Sequence, residues 1–326
     1  MVCGLCGTVV EPIASTWRCV CGGPLSFTAL HVEPPAALGR TTMGEGNTPL
    51  EQVTLGERSV SVKVEFESPT GSFKDRGAAV LIAAALDAGA TSVVADSSGN
   101  AGVAIAAYAN RAELPCEVFV GAGLASSKVA RINADVIAVK GTREDVAAAA
   151  VARVEETGAF YASHVWNSWF YEGTKHYVYE VVAQLGRLPA ALVLPAGNGT
   201  LVLGAYRALR EIGASTPIIA VQARACAPIA EAFLAHGDHV APVIDLGTVA
   251  AGIAIGAPVR GDEVLAAVRA TGGDFVTVTD EEIMAASSEL ALQGYLVEPT
   301  AAAPAAALRS IDVDDVVIPL AAGTRA

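Results

Sequence analysis

The sequence predicts an α/β protein of two domains, with parallel-type sheets flanked by helices and a short cysteine-bearing segment ahead of them. Three observations predict it. Apolar, β-branched runs at 60–66, 92–95, 116–120, 136–140, 160–162, 191–195, 217–222, 275–279 and 316–320 are continuous rather than alternating, as in strands buried on both faces. Ala-rich stretches of helical character lie between most of them, at 74–88, 100–111, 143–157, 172–185, 200–211, 280–292 and 300–310, the order of elements that builds parallel sheets. Nine strand candidates in 326 residues are many for one twisted open sheet, so more than one sheet is expected, within a length that suits two ordinary domains.

Composition agrees with a large buried core: 52% of residues are hydrophobic and 17% charged, with few aromatics. The net charge of -13 argues against nucleic acid or an anionic membrane as a partner. No apolar run approaches the roughly 18 residues of a membrane span, and no basic stretch followed by an apolar core opens the chain. A cytoplasmic protein is the expectation.

Taken in chain order, the first feature is Cys3, Cys6, Cys19 and Cys21, a C-x2-C pair and a C-x-C pair among Gly4, Gly7, Gly22 and Gly23. Clustered cysteines without a secretory signal suit a metal better than disulfides. Four thiolates on glycine knuckles satisfy tetrahedral zinc, so a zinc-ribbon-like segment is expected, against the alternative of reduced thiols in a loose arm. Cys116 and Cys226 lie in or beside apolar segments and read as buried structural thiols. A connector with Pro34, Pro35 and Gly39 leads to the loop Gly44-Glu45-Gly46-Asn47-Thr48-Pro49-Leu50.

Three strand-to-helix or loop-to-helix turns then carry possible chemistry. The first, Pro69-Thr70-Gly71-Ser72-Phe73-Lys74-Asp75-Arg76-Gly77, puts Lys74 at the start of a helix, one of five lysines in the chain. A lysine held at a pocket floor loses solvation and becomes a nucleophile; read alone, the turn fits equally well a first-turn lysine paired with Asp75. The second is Asp96-Ser97-Ser98-Gly99-Asn100-Ala101-Gly102, where amides and hydroxyls at a helix N-terminus suit a carboxylate or phosphate. Plain N-capping by Ser98 or Asn100 is the alternative. The third, Pro195-Ala196-Gly197-Asn198-Gly199-Thr200-Leu201, suits a phosphate but lacks the Gly-Lys-Ser/Thr of a Walker loop and the glycine spacing of a dinucleotide fingerprint.

Together, Ser-Phe-Lys-Asp-Arg-Gly at 72–77, Ser-Gly-Asn at 98–100 and Gly-Asn-Gly-Thr at 197–200 resemble the tryptophan synthase β-type (fold type II) pyridoxal phosphate (PLP) enzymes. Within them the sequence is most similar to the threonine synthase-like branch, which shares the loop at 44–50, the cysteine knuckle and Glu298-Pro299-Thr300. The resemblance implies that Lys74 holds PLP as a Schiff base and shuttles a proton. It implies that Asn100 bonds the ring hydroxyl and that Ser97, Ser98 and Gly99 face the substrate carboxylate. Gly197, Asn198, Gly199 and Thr200 would cradle the cofactor phosphate, and a loop from Thr248 to Pro258, with Gly252 and Ala254, would pass close to the ring. The implied domains are a knuckle over 1–30, a large cofactor domain of 31–80 and 166–326, and a small substrate-side domain of 81–165. A homodimer is also implied.

The resemblance has departures. In His164-Val165-Trp166-Asn167-Ser168-Trp169-Phe170-Tyr171-Glu172-Gly173-Thr174-Lys175, which is similar to the branch's Asn-Pro-x-Arg-x-Glu-Gly-x-Lys, Phe170 replaces the arginine that contacts the phosphate of O-phosphohomoserine. An aromatic ring offers a phosphate no charged donor. A smaller leaving group, or a phosphate held by Lys128 or Lys175, would follow. Ala101 stands where the branch has Thr, and Ala321 where it has a hydroxyl or thiol near the pyridine nitrogen, leaving that role to Thr324 through a shifted loop, to water, or to no protein partner.

The remaining candidates carry less. His236 and His239 read as a solvated turn, His31, His164 and His176 as packing or surface residues, and Ser126-Ser127-Lys128 as a helix cap. The expected function is therefore elimination or replacement on a small amino-acid substrate, threonine synthase-like, from O-phosphohomoserine to threonine and phosphate. The alternatives are a threonine/serine dehydratase, a β-replacement synthase using O-phosphoserine or an O-acylserine, and, from another class, a non-catalytic PLP-binding regulator.

Overall fold

A computed structural model describes residues 1–13, 15–123 and 129–324; Ser126, Ser127 and Lys128 fall outside these. The chain forms two compact units, neither continuous in sequence. The first comprises Met1–Glu45 and Lys74–Gly173, the second Gly46–Phe73 and Thr174–Ala326. The divisions at 45/46, 73/74 and 173/174 compare with boundaries expected at 30/31, 80/81 and 165/166.

The first unit holds a four-stranded sheet built from β5 (Val93–Ala95), β6 (Cys116–Gly121), β7 (Asp135–Val139) and β8 (Phe160–Tyr161), in the order β7-β6-β5-β8. All its pairings are parallel, as continuous apolar strands require. Helices Lys74–Asp87, Asn100–Arg111 and Arg143–Thr157 belong to it. Helix Lys74–Asp87 is buried from Asp75 through Ala85, so it has no polar face. Its Ala and Gly residues let it pack tightly with helix Asn100–Arg111 in one apolar cluster centred on Leu81, Ile82, Ile105 and Tyr108. Helix Arg143–Thr157 starts on a reciprocal cap, Thr142 with Asp145, and stops at Gly158 in the left-handed region, the start and stop chemistry expected of an amphipathic helix.

At the head of this unit, β1 (Val2–Cys3) pairs antiparallel with β2 (Leu25–Ser26). Around them lies a small cluster of Met1, Cys3, Cys19, Leu25 and Phe27.

The second unit is built on a six-stranded sheet of β3 (Leu50–Leu55), β4 (Arg58–Lys63), β9 (Ala191–Pro195), β10 (Ile218–Ala223), β11 (Asp274–Val278) and β12 (Val316–Pro319), ordered β11-β10-β9-β12-β4-β3. Strands β9, β10 and β12 are buried at every residue. Only β3 runs antiparallel, joined to β4 by a two-residue turn whose Gly56 has φ of +60°, the conformation that short hairpins favour.

The expected α/β architecture with parallel sheets is present. The edge strand β3 escaped the sequence reading because it alternates: Val53 and Leu55 are buried while Glu51, Gln52 and Thr54 are exposed. The run at 60–66 stops as a strand at Lys63 and turns through a 3₁₀ segment, Glu65–Glu67. The helix expected over 172–185 is two, Trp169–Thr174 and His176–Leu185, with glycine at 173 weakening the junction. Helix Pro299–Ala307 begins with proline at its first position and tightens into a 3₁₀ turn at Leu308–Ser310. Among the described residues no helix is long and apolar enough to cross a membrane.

Candidate active site

In the first unit, Lys74 opens a helix whose next residues, Asp75 and Arg76, are buried. The residue before it, Phe73, belongs to the second unit and is fixed there by its amide, which donates to the Ala321 carbonyl at 3.0 Å. Lys74 itself is partly buried. Loss of solvent around the amine lowers its pKa from 10.5 to about 7, because burial penalises the ammonium form. A neutral amine at physiological pH is what covalent attachment of a carbonyl compound and proton transfer both require.

Phe170 lies beside it, with the ring centroid 5.9 Å from Lys74 Nζ. Phe170 is fully buried, and in turn meets the ring of His164 edge-on at 5.9 Å. His164 is also buried, and among the described residues its Nδ1 has no hydrogen-bond partner. Burial first, then the charges of Lys74 and Arg143, hold its pKa well below the usual histidine range. His164 is buried, in keeping with the packing role expected of it, and the charge of Lys74 that it feels makes it a candidate polar neighbour of this site as well. No local pattern in the sequence announces that, since the neighbours come from distant segments.

The turn 96–102 follows β5. Asp96 is buried and accepts from Arg143 at 2.7 Å. Gly99, not Ser98 or Asn100, is the N-cap of helix Asn100–Arg111, and no side chain caps it. Plain capping by Ser98 or Asn100, the alternative reading of this turn, is therefore not what the described residues show. An uncapped helix N-terminus with Ser97, Ser98 and Gly99 around it suits a carboxylate. Ser98 and Gly99 are exposed and Ser97 half-buried. Asn100 Oδ1 accepts from Arg131 at 3.2 Å, which orients the amide. Gly102 lacks a side chain where one would collide with the Ser97 carbonyl, so the turn folds back tightly on its helix.

In the second unit, the turn Gly197, Asn198, Gly199 and Thr200 joins β9 to helix Thr200–Glu211. Gly199 is the N-cap, with φ of +74° and no side-chain cap. A Cβ on Gly197 would come within 2.7 Å of the Gly252 carbonyl. The segment around Gly252 is tied down in turn by Thr300, whose Oγ1 accepts from the Gly252 amide at 2.9 Å. The turn, the 248–258 loop and Thr300 therefore meet. Gln222, fully buried, braces them: it donates to the Ala196 carbonyl and accepts from Ile229 and Ala230. Sequence inspection did not single out Gln222, because a glutamine in a strand carries no recognisable signal.

Lys175, an alternative phosphate donor by sequence, is committed elsewhere. Buried, it bonds the buried Glu211 at 2.8 Å, and Tyr179 donates to the same carboxylate. Burial would raise the Glu211 pKa, but these bonds and the Lys175 charge outweigh it and lower it. Thr324 is exposed, with its amide donating to the Leu296 carbonyl. Ala321 and Ala322 are buried. His239 is exposed and pairs with Asp262, in keeping with a solvated turn.

The four N-terminal thiols converge. The sulfurs of Cys3, Cys6, Cys19 and Cys21 all lie within 4.8 Å of one another, with Cys3–Cys21 at 3.4 Å and Cys6–Cys19 at 3.8 Å. Zinc–sulfur bonds of about 2.3 Å in a tetrahedron require sulfurs about 3.8 Å apart, so the cage has the right size. Gly7 and Gly22 adopt positive φ in the two knuckles, and a Cβ on Gly23 would come within 2.6 Å of Cys3 Sγ.

Comparison with known proteins places the chain in a family. Residues 41–321 match the family described as pyridoxal-phosphate dependent enzyme. The chain belongs to this family. A PLP-dependent lyase of threonine synthase-like type, it is 37% identical to the threonine synthase of Methanosarcina acetivorans over 287 residues, 83% of this chain and 71% of that one. It is 33% identical to the threonine synthase of Methanocaldococcus jannaschii over 284 residues, 82% of this chain and 70% of that one. Among solved structures, the T.th. threonine deaminase superposes with a TM-score of 0.78 at 25% identity, covering 89% of this chain and 97% of that one.

Proposed function

We propose that this PLP enzyme is a threonine synthase, converting O-phosphohomoserine to threonine and phosphate, with Lys74 as its catalytic residue. The reading rests on the Lys74 amine, desolvated at the start of its helix with the Phe170 ring 5.9 Å away, and for its substrate on the likeness to threonine synthase over 83% of the chain. Each unit by itself offers a part that the cofactor needs: in the first, a desolvated amine for its aldehyde; in the second, a glycine turn without a side-chain cap at Gly197–Thr200 for its phosphate. Asn100, oriented by Arg131, would meet the ring hydroxyl, and the loop at Gly252 would lie near the ring. Bound there, PLP supplies the electron sink that lets the substrate Cα lose a proton.

The chain's own residues do the rest. Lys74 takes the Cα proton and returns one, which its neutral form permits near pH 7. Ser97, Ser98 and the first amides of helix Asn100–Arg111 hold the substrate carboxylate and so fix which bond at Cα faces Lys74. Ala321 offers the pyridine nitrogen no hydroxyl, which leaves Thr324 or water for that role. Cys3, Cys6, Cys19 and Cys21 hold a structural zinc ion, and the protein works as a cytoplasmic homodimer.

One observation favours a second reading. Phe170, fully buried beside Lys74, gives a departing phosphate no charge to meet, which suits a hydroxyl leaving group and hence a threonine or serine dehydratase. The purified protein, incubated separately with O-phosphohomoserine, O-phosphoserine, threonine and serine, separates the readings. Threonine and phosphate in equal amounts from O-phosphohomoserine supports the synthase. A 2-oxo acid and ammonia from threonine or serine alone supports the dehydratase. No turnover of any of the four, with PLP bound, supports a regulatory binder.

A further inference from the structure

The cysteine cluster is built into the first unit through aromatic contacts that all fall on one segment. Between the two cysteine pairs the chain carries Trp17, which meets Tyr161 edge-on at 4.7 Å and Trp166 at 5.5 Å. Beyond the second pair, Phe27 meets Trp169 edge-on at 4.9 Å, and the Ser168 hydroxyl donates to the Leu25 carbonyl. Arg18 adds an exposed pair with Glu155. Residues 161–169 are thus gripped from one side by the ribbon. Their continuation is Phe170, and within them lies His164, the two residues whose rings stand beside one another next to Lys74.

The ribbon has little of its own to hold this grip. Its regular structure is two residue pairs between β1 and β2, and its buried apolar cluster has five members, two of them cysteines. A segment of that kind takes its folding energy from a metal. Edge-on aromatic pairs are directional, so a ribbon that loosens shifts Trp17 and Phe27 off their partners and releases the segment that carries His164 and Phe170.

We propose that the ribbon of Cys3, Cys6, Cys19 and Cys21, closed by zinc, is a clamp on residues 161–170, and that Trp17 is a positioning residue acting through this segment on His164 and Phe170 beside Lys74. The proposal rests on the zinc reading given above. It requires that the metal, far from the amine in sequence and chemistry, governs how well the amino-acid substrate is received rather than whether the cofactor binds.

The chain has three tryptophans, Trp17, Trp166 and Trp169, and all three sit at this contact, so intrinsic fluorescence reports on it alone. Zinc is first counted by a colorimetric chelator in the denatured holoenzyme, with one ion per chain expected. Zinc is then stripped from the folded holoenzyme with a chelator. The tryptophan emission should shift to the red while the cofactor absorbance stays, and re-adding zinc should reverse the shift. Trp17→Ala should keep one zinc ion and full cofactor occupancy, yet raise the substrate KM about tenfold through misplacement of the receiving residues, with kcat changed less. Trp17→Phe should restore most of the KM.

One ion per chain, with emission unmoved by stripping and KM unmoved by Trp17→Ala, would overturn the clamp and leave the zinc reading intact. Absence of zinc from the purified protein, with Cys6→Ser indistinguishable from the parent in emission and thermal stability, would overturn both. If Trp17→Ala does not fold, Trp17→Phe and reversible zinc stripping carry the test alone.

Discussion

The ring of Phe170 fills the space that a side chain at Gly77 would need: a Cβ there would come within 2.5 Å of its ring carbons. Gly77 lies on the helix that Lys74 opens, and the same ring stands 5.9 Å from Lys74 Nζ. Gly77→Ala should therefore push a fully buried ring that has no room to turn, costing about 1–3 kcal/mol of stability as overpacking does. The displaced ring should also disturb the surroundings of Lys74. Thermal unfolding gives the first quantity and the substrate KM, raised relative to the parent, gives the second; an unchanged pair of values would mean that the ring is free to move.

Cofactor capture should follow the Lys74 amine. With its pKa lowered from 10.5 to about 7 by burial, the neutral form grows about tenfold per pH unit below 7 and levels off above it. The rate at which cofactor-free protein takes up PLP should show that midpoint, read from the absorbance of the bound chromophore. Borohydride reduction and peptide mapping should then leave the pyridoxyl mass on Lys74. Lys74→Ala should lose this adduct and activity by about three orders of magnitude, the scale of losing a positioned base. The sign of the stability effect follows from linkage. Between about 7 and 10.5 the unfolded chain binds the extra proton, so the cofactor-free fold should gain stability as pH rises through that window.

Gly199 should tolerate no side chain. It holds φ of +74° as the N-cap of helix Thr200–Glu211, and a Cβ would collide with Val264. Gly199→Ala should cost about 1–3 kcal/mol from the backbone and the collision together. It should also weaken PLP retention under dialysis, because the amides around the turn would no longer converge. Retention equal to the parent would remove the turn from the cofactor's phosphate site.

Arg143→Ala should leave a buried carboxylate without its cationic partner, since Asp96 loses its 2.7 Å bond. Because Arg143 is half-exposed, its loss should cost about 1–3 kcal/mol rather than the larger sum of a fully buried pair. Adding Asp96→Asn should recover part of the loss. A double-mutant cycle in urea measures the coupling, and a cycle that closes to zero would deny the pair any structural role.

Much of this site was legible because its parts are local. A strand ending in Gly, Ser or Asn and running into a helix is written in consecutive residues, and helices Asn100–Arg111 and Thr200–Glu211 begin and end where their patterns do. What escaped was tertiary. Gln222 braces the Ala196 carbonyl from another strand, and His164 owes its buried nitrogen to neighbours far along the chain. Lys175 looked available until Glu211, on another helix, was seen to hold it. The antiparallel strand β3 was hidden by its alternation, which marks an edge and not a core. Trp17 had no reading at all, since an aromatic between two cysteine pairs says nothing about the rings it will meet.

The interleaving of the two units sets a timetable for synthesis. When Gly173 leaves the ribosome the first unit is complete in sequence, but the second has only its hairpin, β3 and β4. The inner edge of β4 pairs with β12, which comes last in sequence among the strands of this sheet. Until then β4, buried from Val60 to Lys63 in the finished protein, presents unpaired amides and apolar side chains to the cell. Sticky edges of that kind are where nascent chains aggregate. Slow elongation, or a stop anywhere between Gly173 and β12, would therefore strand a finished first unit on an unfinished and adhesive second one.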